Sequence, residues 1–134
     1  MRAKLALMIA GVALLAGASA AVAHHSFAAE FDANKPFKMT GTVTKVEWMN
    51  PHTFFYIDVV DEKTKKVTNW GMEMGSPNIL MRNGWRRDTM KNGDVVTVEG
   101  SLAKDGSPTG NARSVVLAAS GKRLFAGSSQ GTTP

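Results

Sequence analysis

Three histidines carry the richest chemistry in this chain, and they fall at two places: His24 and His25 stand side by side, and His52 closes an Asn50-Pro51-His52 step. Neutral imidazole is the commonest side-chain metal ligand, and nitrogen donors suit copper. If the chain is cut after Ala23, the mature protein begins with His24, whose free amine and ring offer two nitrogens at one point. Copper(II) favours a square-planar nitrogen set, so His24 could supply its amine and ring while His25 or His52 supplies a further imidazole. Such a histidine-brace-like site needs the terminus to fold back beside His52. Reach is no obstacle, because the roughly 25 intervening residues extend by ~3.3 Å each.

The remaining donors are limited. Cysteine is absent, so thiolates and disulfides are unavailable and a metal here must use nitrogen, oxygen or thioether ligands. Met39, Met49, Met72, Met74, Met81 and Met90 supply thioethers, but methionine ordinarily fills gaps in a core. In Met72-Glu73-Met74 strand alternation puts both sulfurs on one face and Glu73 on the other, so the three cannot ligate together without distortion. Met49 is a weak extra donor near His52, and Asn50 is suited to orienting the local turn.

No catalytic constellation accompanies the histidines. Asp58, Asp61, Glu62 and Glu73 are available acids and Ser26 follows His25, yet adjacent Ser and His do not make a triad, which meets through tertiary geometry. A phosphate-binding Gly-x-x-x-x-Gly-Lys-Ser/Thr run is also missing. The chain therefore reads as a binding or accessory module rather than an enzyme, with copper the preferred cofactor. The alternative is a periplasmic protein-interaction or small-ligand-binding module with no metal. It would use Trp48, Asn50, Phe54, Tyr56, Trp70 and Trp85 as a surface rich in aromatic contact area.

The N-terminus has the three parts of a secretory signal: basic Arg2 and Lys4, an apolar run from Leu5 to Leu15, and small residues to Ala23. Ala21-Val22-Ala23 places small residues at the positions that signal cleavage requires, with Ala18-Ser19-Ala20 as a competing exit. A periplasmic or secreted location follows, with no stable membrane anchor after cleavage. Loss of Arg2 and Lys4 leaves 14 basic against 11 acidic residues. That mild excess, in an exported chain, argues against a nucleic-acid partner.

Residues 24–134 suffice for one hydrophobic core. Apolar or small residues alternate at Phe37, Met39, Gly41 and Val43, then resume out of phase at Val46 and Trp48, which predicts a strand with a bulge near Thr44-Lys45. The β-branched and aromatic run from His52 to Val60 predicts the second strand, and Val67 to Met74 the third, after a short polar hairpin. Ser76-Pro77 has the chemistry of a helix start and Gly84 of its end, so a short helix spans 78–83. Strands over Val95–Leu102 and Ala112–Ala119 complete a five-stranded OB-like barrel, mainly β, with the helix between strands 3 and 4. The expected organisation is a signal helix in 1–23, an N-terminal arm over 24–36, the OB-like domain over 37–125, and a flexible tail over 126–134.

The pieces His24-His25-Ser26-Phe27, Phe31-Asp32, Gly41-Thr42-Val43, Trp48-Met49-Asn50-Pro51-His52, Gly93-Asp94 to Gly100, and Ala112-Arg113-Ser114 together resemble a family of small exported bacterial proteins of unknown function. The likeness spans nearly the whole mature chain. It implies export and a small OB-like β domain, and carries no particular activity with it.

Overall fold

Strand alternation is followed most strictly in β2 (Phe54–Val60), where Phe55 and Ile57 are fully buried and Phe54 and Tyr56 stay half-buried on the other face. Each side chain so buried contributes about 1.5–3 kcal/mol. The computed structural model describes residues 27–127. After helical residues 27–30, the elements run β1 (Phe31–Glu47), β2, β3 (Val67–Glu73), α1 (Pro77–Arg82), β4 (Val95–Ala103), β5 (Thr109–Leu117) and β6 (Arg123–Phe125). The architecture is mainly β, a six-stranded sheet ordered β3-β2-β1-β4-β5-β6 with one short helix. The segment read as a signal helix, residues 1–23, lies outside the described residues, as do His24 and His25. Among the described residues, no helix is long and apolar enough to cross a membrane.

The phase slip in the apolar pattern of β1 is a real break in pairing. Its first part pairs with β4 from Pro36 opposite Ser101 to Thr42 opposite Val95. Its second part pairs with β2, and the register shifts between Val43 and Lys45. An extra residue bends a strand and sharpens its twist, which lets one long strand serve two neighbours. A second shift falls between Glu99 and Gly100, where β4 meets β5. A side chain at position 100 would put its Cβ 1.9 Å from the Asn111 carbonyl oxygen, so only glycine permits this approach.

Three expectations are corrected. The sheet has six strands rather than five, because Arg123–Phe125 adds β6 to the edge of β5. The fifth strand begins at Thr109, not Ala112: Thr109–Asn111 looks like loop beside Gly106 and Pro108, but pairs in parallel with Gly71–Glu73 of β3. That pairing is a tertiary contact that local turn residues do not announce. At the chain's ends, β1 starts at Phe31 inside the segment read as an arm. Ala126 and Gly127, read as tail, are buried, and Ala126 pairs through both backbone groups with Arg113 and Gly75.

The helix forms as its sequence requires. Ser76 caps it by accepting from the Ile79 N–H at 3.4 Å, Pro77 occupies the first turn, and Gly84 adopts φ +88° just past the end. The Trp85 N–H then donates to the Leu80 carbonyl at 3.0 Å, turning the chain back. Leu80 and Trp85 join Val43, Phe55, Ile57, Met72, Met74, Met90, Val96, Val98, Val115 and Leu124 in one core.

Candidate functional site

His52 lies at the mouth of β2, just after a cis Asn50–Pro51 peptide. The pairing of β2 with β3 continues past the end of both strands: the Thr53 N–H donates to Gly75 at 3.1 Å and the Met74 N–H donates to Thr53 at 2.8 Å. Phe54 stands opposite Glu73. His52, two residues before Phe54, therefore shares a face with Glu73 and is its diagonal neighbour. The consequence is direct: His52 Nδ1 lies 2.8 Å from Glu73 Oε1. On the other side of Glu73, the parallel β3–β5 pairing sets Asn111 beside it, with Nδ2 at 3.5 Å from the same oxygen.

The pair is asymmetric. The Glu73 side chain keeps 10% of its surface in solvent, whereas that of His52 keeps 30%. Burial pushes the Glu73 carboxyl above the ordinary glutamate range, because desolvation disfavours the charged form. The charge of His52 opposes that push, the nearby charge of Glu30 adds to it, and the hydrogen bonds from His52 and Asn111 oppose it. Burial dominates, leaving a carboxylate held at a cost beside an imidazole that reaches solvent.

Glu30 belongs to the stretch of chain that leads in from the N-terminal histidines. Phe31 is buried at 3% exposure and meets the Phe27 ring, with centroids 5.7 Å apart. The Lys104 N–H donates to the Glu30 carbonyl at 2.9 Å, and the Lys104 ammonium donates to the Ala28 carbonyl. Residues 27–31 are thus fastened to the sheet at the end of β4, where Phe31 pairs with Ala103, and the Glu30 charge acts on Glu73. Among the described residues no group of three or more His, Asp or Glu is arranged to hold a metal ion, and His52 is the described member of the histidine set.

The aromatic residues divide. Trp85 is in the core, 2% exposed, with its indole N–H donating to the Phe125 carbonyl at 2.7 Å, and what it leaves exposed borders a cleft with Met81, Gly84, Arg86 and Arg87. Trp48 and Trp70 are partly exposed and pack against the core from its edge. Phe54 sits between Glu47 and Glu73 in the cross-strand pairing. Tyr56 donates its hydroxyl to Glu47 at 3.1 Å and carries the Lys45 ammonium 5.6 Å from its ring centroid. Asn50 and Met49 are exposed.

Glu73 and Asn111 are the residues that sequence reasoning did not assign to the site. Glu73 was visible only as one acid among several on the face opposite Met72 and Met74, and both methionines are indeed fully buried. Its one available signal was an acid at the centre of an otherwise apolar strand end, where an unpaired charge is costly. Asn111 gave none, since its place depends on the parallel pairing.

Fold and site together define a small, mainly β domain with a buried carboxylate gripping an imidazole at one end of its sheet. The chain belongs to the family of unknown function DUF6152, whose model matches residues 12–112. No curated protein matches it.

Proposed function

We propose that the protein is an exported binding or accessory module that holds one copper ion between its mature N-terminus and His52. His24 would supply its amine and ring, and His25 and His52 further imidazoles. The domain that presents them is an OB-like barrel with β6 appended, supported by the pairing circuit β1-β2-β3-β5-β4, in which β4 returns to β1. The observation that carries the copper reading is the fastening of residues 27–31 to Ala103 and Lys104, with Glu30 near enough to Glu73 for its charge to act there. From Phe27 back to His24 is a step of three residues, at most about 10 Å of extended chain. An anchored arm would give His24 and His25 a high effective concentration near His52.

The test is copper(II) titration of exported, cleaved protein whose N-terminus has been verified by mass, beside a His52→Ala variant and one with an alanine added before His24. Tight one-to-one binding weakened in both variants is expected. Binding indifferent to His52→Ala would reduce the site to a terminal chelate and contradict the proposal. Absence of tight binding would favour a metal-free periplasmic module for a small ligand or a protein. That second reading draws support from an open cleft of about 510 Å³ lined by Glu30, Phe31, Ala103, Lys104 and Thr109.

A further inference from the structure

We infer that Glu73 is a positioning residue that fixes the tautomer and orientation of His52, accepting from Nδ1–H and leaving Nε2 as the nitrogen open to a metal. This rests on the copper reading and specifies which atom of His52 the ion would meet. In a neutral histidine one ring nitrogen donates and the other accepts, and the partner of one settles the role of the other. Glu73 Oε1 at 2.8 Å from Nδ1 is an acceptor, so the proton lies on Nδ1 and the lone pair on Nε2. The carboxylate itself is hard to displace. It is buried, opposed by Phe54 across one strand pair and by Asn111 across the other, and Asn111 turns its amide toward the same oxygen. A carboxylate built into sheet registers orients a ring more narrowly than a surface side chain, which would lose its geometry to rotamer freedom. Metal-ligating histidines characteristically donate their second nitrogen to such a partner.

The experiment is ¹⁵N NMR of the histidine rings in metal-free, cleaved protein at about pH 9, well above the ordinary histidine pKa of ~6.5, with His52→Ala identifying the His52 signals. Copper(II) affinity is measured in parallel for wild type, Glu73→Gln, and Glu73→Gln in the His52→Ala background. Glutamine keeps the volume but can turn its NH₂ toward Nδ1, which releases the constraint. The expected result is a wild-type His52 protonated at Nδ1, a shift toward Nε2 protonation in Glu73→Gln, and a ~10–100-fold loss of copper affinity that vanishes when His52 is absent. A wild-type ring protonated at Nε2, or a tautomer unmoved by Glu73→Gln, overturns the inference. Tight copper binding that needs His52 but ignores Glu73→Gln overturns the positioning role and leaves the copper reading standing. If wild type binds no copper, the copper reading falls, while the tautomer still reports whether Glu73 sets the ring.

Discussion

Replacing Trp85 with phenylalanine separates two views of that residue, a ring offered to a ligand and a ring that closes the core over β6. The structure places it 2% exposed, with its indole nitrogen 2.7 Å from the Phe125 carbonyl oxygen. Phenylalanine removes the donor, and a carbonyl left without a partner costs about 1–3 kcal/mol when buried. Phe125 is half-buried, so water can reach the vicinity and the lower part of that range applies. Removing roughly 40 Å³ of side chain from a packed site adds about 1 kcal/mol at ~24 cal/mol per Å³. The sum is about 2–3 kcal/mol, or a fall of roughly 8–12 °C in Tm at ~4 °C per kcal/mol for a domain of this size. Urea unfolding followed by circular dichroism should show the midpoint falling with an unchanged slope. A loss below about 0.5 kcal/mol would refute the core assignment.

Other substitutions test other parts of the fold. Gly100→Ala drives a Cβ into the Asn111 carbonyl and is expected to destabilise by about 3 kcal/mol or more; thermal unfolding within about 1 kcal/mol of wild type would mean that the β4–β5 approach is looser than described. Thr53 Oγ1 is buried and without a hydrogen-bond partner among the described residues, so Thr53→Val is expected to be neutral or stabilising by up to about 1 kcal/mol, and a clear loss in urea unfolding would reveal a partner. For Glu73→Gln the sign follows from the raised carboxyl pKa. The folded-state value lies above the ordinary 4.5, so the stabilising contribution of the protonated form is complete below the unfolded pKa and is lost as pH rises through the folded value. Glutamine removes that loss, and the variant should be more stable than wild type near pH 7, with the gap closing below about pH 4; a wild type more stable at pH 7 would show that pairing with His52 outweighs burial.

Such a stability gain on removing Glu73 would fit a residue retained for the site rather than for the fold. Ionised glutamate in a nearly buried position is a poor structural choice unless its charge orients something, and His52 is what it touches.

Local signals were legible where one strand or one turn sufficed. The bulge of β1, the opposed faces of Met72 and Glu73, and the Ser76 cap all follow from alternation and capping chemistry within a few residues. What escaped was set by distant partners. Thr109–Asn111 carries turn-forming neighbours yet extends because β3 offers it a parallel edge, and the three-residue β6 is too short to announce itself by period. Trp85 reads as part of an aromatic surface by residue type, while the turn past α1 directs its ring inward. For the site, His52 stood out by residue type, but Glu73 and Asn111 became its companions only through two strand registers.

The most direct test of the central claim, that the N-terminus and His52 meet at one copper, is electron spin echo spectroscopy of the one-to-one copper(II) complex of cleaved protein, compared with His52→Ala. The account predicts that the variant stays folded and loses one equatorial imidazole coupling. An identical set of nitrogen couplings in both proteins would contradict it.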